Sequence, residues 1–158
     1  MLDASVSSRL THQLSAFRAA WLADADPRDL AWRPPTGQWS ALLNLAHVGR
    51  HHEVMRARLD RMSVEENPTF PRYTERDDPG WSEWEALGPD AVLARLQERR
   101  EALAAWAAGL SDEQLRRTGV HQRFGPMDVP RWLEFFLVHE AHHLYVVLQR
   151  LADARSAR

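Results

Sequence analysis

The chain has 158 residues, 44% hydrophobic and 27% charged, with a formal net charge of −2 and no cysteine. That length suits one domain with a buried core, and the composition excludes a disordered or fibrous chain. The small net charge gives no general attraction to nucleic acid or an anionic membrane, and the missing cysteine excludes disulfides, thiolate ligands and a protein thiol nucleophile.

All twenty basic residues are Arg, so Schiff-base and P-loop lysine chemistry are excluded too. The first nine residues lack the apolar run of a signal peptide, and no stretch approaches 18 uninterrupted apolar residues, so the expected location is cytoplasmic.

Val6, Leu10, Leu14, Phe17, Trp21 and Leu22 recur at three-and-four spacing, which predicts a helix over 6–22. Pro27, Pro34, Pro35 and Gly37 then interrupt helix repeatedly. Ser40 is placed to cap a second helix, whose pattern of Leu42, Leu43, Ala46, His47, Val54, Met55 and Leu59 runs to about Arg61. Residues 62–88 hold Pro68, Pro71, Pro79 and two tryptophans, Trp81 and Trp84. Their aromatic content reads as a long ordered connection, of the kind often functional in compact domains, with Trp81 and Trp84 exposed as a candidate dimer contact.

A third helix begins at Pro89, carries Val92, Leu96, Leu103 and Trp106, and ends at Gly109. Ser111 to Gln114 resembles a capping box. After a connection over 119–130, Asp128 can cap a last helix with Pro130 in its first turn, running to about Ala152. No strand and no internal repeat is expected. The pattern predicts one all-α domain over 1–158, a four-helix bundle whose uneven connections require at least one crossover.

Within the last helix lies His139-Glu-Ala-His-His143. Residues four apart share a helix face, so His139 and His143 can direct two imidazoles at one point. The same letters spell H-E-x-x-H, the zinc-protease motif in which the Glu is general base. That reading needs a third ligand downstream, and no His or Glu follows His143. The third ligand is then expected upstream, at His47 on an otherwise apolar face. A lone buried His is ordinarily a hydrogen-bonded core residue, but three unpaired imidazoles would be costly to bury, which favours a metal. His51, one turn from His47, is open to either a ligand or an outer role. Glu140 is expected in an outer salt bridge, and Trp39 as a packing anchor.

The run Trp32-Arg-Pro-Pro-Thr-Gly-Gln-Trp39-Ser40, then Leu45-Ala46-His47-Val48, a long loop, Arg99 and Arg100, Gly119-Val-His121-Gln-Arg-Phe-Gly125 and His139-Glu-Ala-His-His143 resembles the DinB/YfiT-like family of metal-binding bundles. The resemblance spans nearly the whole chain and implies an up-down-down-up bundle with His47, His139 and His143 as metal ligands. It implies a divalent metal, zinc or nickel foremost, with manganese or iron as alternatives. It also implies transferase or isomerase chemistry with a low-molecular-weight thiol of the bacillithiol or mycothiol type, in detoxification or stress response, and a homodimer.

Three neutral imidazoles leave a metal its full charge and an open position, where a thiol would lose its proton near neutral pH. The thiol and an electrophile are then the expected partners, with neither nucleic acid nor membrane. Arg50 and Arg99 are the candidate holders of the thiol's carboxylates, against the alternative of a solvated helix face. A non-catalytic metal-binding or structural role, and hydrolysis by metal-activated water, are the competing readings.

Overall fold

The computed structural model describes residues 1–158. Four long helices form the bundle: α1 (Ala4–Phe17), α3 (Ala41–Val64), α5 (Pro89–Ala108) and α7 (Val129–Ser156). Their starts follow local chemistry. The Asp3 carboxylate accepts from the Ser5 and Val6 amides, the Ser40 hydroxyl from Leu43, and the Asp128 carboxylate from Arg131, so each cap satisfies amides that lack an intrahelical partner. Pro89 and Pro130 occupy first-turn positions, where a missing N–H costs nothing.

Helix directions follow from cross-helix contacts. Arg9 pairs with Glu134 and Gln13 with Glu140, so α1 and α7 are parallel. Asn44 meets His143 while His52 meets Glu140, which makes α3 antiparallel to α7. Glu53 meets Arg95 and Arg56 lies over Trp106, so α3 and α5 run together, and Arg18 to Gln97 with Met1 to Asp112 sets α1 against α5. The order is up-down-down-up. Each of α1 and α3 packs on both α5 and α7, which puts α1 and α3 on one diagonal of the bundle and makes the 18–40 connection a crossover.

The connections depart from the sequence expectation in four places. Residues Arg18–Leu22 form a π-helical turn, whose extra residue per turn brings Leu22 into the core and leaves Trp21 53% exposed. Short helices α2 (Pro27–Ala31) and α4 (Trp81–Glu85) punctuate the loops, α2 starting at Pro27 behind the cap Asp26, whereas α6 (Asp112–Leu115) is the turn expected from the Ser111–Gln114 capping box, which forms. Trp81 and Trp84 are buried within the chain, not exposed, so neither is free for a dimer contact. Gly49 allows the Trp84 seat: a Cβ there would lie 2.2 Å from the indole ring.

The fourth departure is a small sheet where no strand is expected. β1 (Thr69–Phe70) pairs in parallel with β2 (Thr118–His121), which pairs antiparallel with β3 (Gly125–Asp128). Strands of two to four residues containing Gly and Pro carry no periodic signal. Their pairing depends on contacts made after the helices pack: Phe70 is buried against Trp132, 5.4 Å between ring centroids, and Gly119 gives room for Phe70 and Met62.

The core has two apolar halves. One gathers Leu10, Met55, Leu59, Phe70, Leu103, Trp132 and Phe136; the other gathers Leu14, Leu43, Ala46, Trp84, Val92, Leu96, Leu144 and Val147. Between them every long helix switches to polar residues: Gln13 on α1, His47, His51 and His52 on α3, Arg100 on α5, and His139, Glu140 and His143 on α7. Fully burying one large apolar side chain stabilises by roughly 1.5–3 kcal/mol. The two halves thus supply the stability against which a polar mid-layer can be held.

Candidate metal centre

His47, His139 and His143 converge from α3 and α7, each offering a nitrogen within 4.8 Å of the other two. His47 Nε2 and His139 Nε2 are 3.2 Å apart. Two nitrogens that each reach one ion at about 2.0–2.1 Å stand about 3.3 Å apart in a tetrahedral shell. The donor set therefore fits a small divalent ion.

A local chain of hydrogen bonds orients His143. The Asn44 amide nitrogen donates to the Ser40 carbonyl at 2.9 Å, which turns the Asn44 oxygen toward His143 Nδ1, also at 2.9 Å. That oxygen can only accept, so Nδ1 carries the ring proton and Nε2 keeps its lone pair. Ser40 thus both caps α3 and sets the His143 tautomer through Asn44. His47 Nδ1 and His139 Nδ1 are buried with no protein partner, so the polar options of both rings lie at Nε2.

All three imidazoles are held neutral. Burial pushes His47 down to about 4. Burial, then repulsion from His143 and His47, pushes His139 down to about 2, and burial with His47 beside it takes His143 to about 3. At neutral pH the lone pairs are free for a metal without proton release.

His51 lies behind His139, ring centroids 4.0 Å apart, and stacks on Phe136; it is buried outside the three-nitrogen cluster. His142 is exposed. Glu140 makes the expected salt bridge, with Arg100, but it is fully buried and so not an outer residue. One of its oxygens accepts from Gln13 at 2.9 Å and from Arg100, the other from His52 at 3.1 Å. With both oxygens engaged it cannot act as a protease-type base.

The triad opens on a cavity of about 350 Å³ lined by Trp39, His51, Tyr73, Glu75, Phe124 and Phe135, together with Arg58, Arg72, His121 and Arg123. Trp39 joins this wall 5.1 Å from the His47 ring while stacking on Trp81, so it is both packing anchor and cavity surface. Tyr73 donates to Asp78 at 2.8 Å, and burial with that carboxylate pushes its phenol pKa up.

Arg50 and Arg99 are not on this wall. Arg50 pairs with Glu53 and Asp78, and Arg99 with Glu53. Glu53 also takes Arg95 and the Trp84 indole N–H. Burial raises the Glu53 pKa, but these four donors outweigh it and hold the carboxylate at about 2. The face of α3 turned to α5 thus absorbs the two arginines in structural pairing. The cavity's own arginines come from elsewhere: Arg58 lies seven residues after His51 on the same helix face, and Arg72 and Arg123 lie in the two loops. Seven-residue spacing is the only sequence signal among them.

A four-helix bundle with three neutral histidines from facing helices at mid-depth, open to a cavity on one side, is an arrangement that could hold a metal ion. The DinB superfamily profile matches residues 9–147, and the chain belongs to that superfamily. Among solved structures the fold is similar to YfiT from Bacillus subtilis, with a TM-score of 0.72 and 21% identity over 92% of this chain and 82% of that one. YfiT is described as a "probable metal-dependent hydrolase with an unusual four-helix bundle topology". A search of curated proteins gave no match. No helix is long and apolar enough to cross a membrane.

Proposed function

We propose that the protein is a metal-dependent transferase that activates a low-molecular-weight thiol, of the bacillithiol or mycothiol type, for attack on an electrophile in cytoplasmic detoxification or stress response. The observation that carries this reading is the convergence of three neutral imidazoles on one cavity wall. The chain has no cysteine of its own, so a sulfur nucleophile has to enter as a cosubstrate. His47, His139 and His143 would hold the ion, and imidazole donors suit zinc or nickel, with iron or manganese as alternatives. A divalent ion on neutral ligands keeps its full charge and lowers the pKa of a thiol or water placed beside it.

The protein's own part is to hold and shield. Asn44 fixes the tautomer of His143, and Trp39, Phe124 and Phe135 give the cavity apolar walls that limit water around a reacting thiolate. The thiol S–H proton would pass to solvent as the thiol binds, and its sulfur would bond to the electrophilic carbon as the leaving group departs with the electron pair of the broken bond. In this reading the active form is a homodimer.

A second reading, hydrolysis by metal-activated water, draws on Glu75, the one carboxylate on the cavity wall and a charge that raises the His47 pKa. The description of YfiT points the same way.

Transfer of bacillithiol and of mycothiol to monochlorobimane, followed by fluorescence with wild type, His47→Ala and Glu75→Gln, tests the proposal. Metal-dependent conjugation that His47→Ala abolishes and Glu75→Gln retains supports the transferase. Hydrolysis of ester or amide probes that Glu75→Gln abolishes, with no conjugation to either thiol, supports the second reading and overturns the first.

A further inference from the structure

The chain buries two arginines, Arg58 and Arg100. Arg100 is paired with Glu140. Arg58 is 7% exposed, and its side chain makes one hydrogen bond, from Nη2 to the Pro71 carbonyl at 2.7 Å. Its guanidinium otherwise rests near the Phe70 and Trp132 rings, 5.6 Å from each centroid. No carboxylate pairs with it, although Arg50 on the same helix and Arg95 and Arg99 on α5 all have one. A buried cation without an anion is costly, so its retention needs a reason.

Arg58 lines the histidine cavity, and its charge lowers the pKa of both His51 and His121. Arg72 and Arg123 line the same cavity, and neither forms a salt bridge; Arg123 lies over Phe124, 5.7 Å from the ring centroid. His121 helps position that turn, its Nδ1 accepting from the Arg123 amide at 3.0 Å and the Phe124 amide at 3.3 Å. The His121 proton is thereby placed on Nε2, which adds a donor to the wall. Glu75 is the only opposing charge on this wall, so three guanidiniums face one carboxylate beside three neutral histidines.

We propose that Arg58, with Arg72 and Arg123, forms an anion subsite in the histidine cavity, and that the ligand bound there carries a carboxylate or phosphate in addition to the group that reaches the triad. Planar guanidiniums pair such oxyanions in a two-pronged fashion. The inference shares with the proposed function only the assumption that this cavity receives the substrate, and it holds equally for a thiol carrying carboxylates or for a hydrolysed anionic compound.

The test is calorimetric titration with succinate and, separately, with inorganic phosphate, of metal-loaded wild type, Arg58→Gln and the double variant Arg72→Gln/Arg123→Gln, and of metal-free His47→Ala. Binding of either anion is expected to weaken about ten-fold or more in Arg58→Gln, the loss of a charge-assisted hydrogen bond, with metal content unchanged. His47→Ala is expected to keep anion binding after losing metal. Preference for succinate assigns a carboxylate ligand and preference for phosphate a phosphorylated one.

Should Arg58→Gln fail to fold, weakening in the double variant decides in favour. The proposal is overturned if neither anion binds wild type, or if the arginine variants that fold bind as wild type does. Anion binding that vanishes in His47→Ala while Arg58→Gln keeps it also overturns the proposal, because the metal alone would then be the site. Thiol conjugation assays run on the same samples separate this outcome from failure of the transferase reading, since anion binding is read without turnover.

Discussion

His139 and Glu140 are adjacent on one helix in one buried layer, and they meet opposite environments. Glu140 is enclosed by donors from the other three long helices, Gln13, His52 and Arg100. Burial alone would raise its pKa, yet the His52 hydrogen bond and the Arg100 charge hold it below the ordinary range. His139 has neither carboxylate nor carbonyl; its Nε2 meets only another imidazole, and its Nδ1 meets nothing. Of two polar clusters at the same depth, the one whose central group is paired locks four helices together. The other is left wanting a ligand and opens on a cavity. The unpartnered ring nitrogens of His47 and His139, more than burial or composition, set the candidate site apart.

The largest expected effect separates the two clusters by stability. Glu140→Leu leaves Arg100 buried without its anion and should cost about 3–5 kcal/mol, read by urea unfolding of the metal-free protein. His139→Ala, which removes an unpaired group, should cost less than half as much in the same measurement. Equal losses would erase the distinction.

Next in size is a pH effect. The His47, His139 and His143 pKa values lie at about 4, 2 and 3, below the ordinary 6.5, so the unfolded chain takes up protons below about 6.5 that the folded chain refuses. Metal-free protein should therefore show no histidine contribution above about 7 and lose stability as pH falls from about 6.5 toward 4.5. Each such histidine adds at most about 1.4 kcal/mol per pH unit. The slope should flatten in a His139→Ala/His143→Ala variant. An unchanged slope would place the sensitivity elsewhere.

A smaller change probes the orientation of His143. Asn44→Ala removes the acceptor at Nδ1 and should weaken metal affinity about 10–100-fold, measured by competition with a chelator, with little change in the cavity itself. The smallest effect is expected at Arg99, 37% exposed and one of several donors to Glu53. Arg99→Ala should change unfolding free energy by about 0–1 kcal/mol and leave metal content unaffected. A loss of ligand binding there would restore the substrate-holding role that its sequence position suggested.

The parts legible in the sequence are those with local periodicity. Leu10 and Leu14, Leu43 and Met55, and Val92 and Leu96 trace the core faces of three of the four long helices, and Ser40 and Asp128 mark two of the helix starts. The His139 and His143 pair was visible from its spacing, and His47 from its apolar surroundings. What escaped depends on packing between distant segments. Phe70 finds β2 about fifty residues away, and the Glu140 partners come from α1, α3 and α5. Trp84 lies in a stretch without periodicity, and its seat over Gly49 depends on packing between distant segments. Arg50 and Arg99 stood out as cations on the right helices, yet the choice among twenty arginines is made by where carboxylates lie, and Glu53 claims both.

The most direct test is elemental analysis of protein purified without immobilised nickel, for wild type and for His47→Ala, His139→Ala, His143→Ala and Glu140→Gln. The account predicts about one divalent ion per chain in wild type and Glu140→Gln, and loss of that ion in each histidine variant with the helical circular dichroism spectrum retained. Metal-free wild type that takes up no zinc or nickel on reconstitution, or metal content unchanged by all three histidine substitutions, would contradict it.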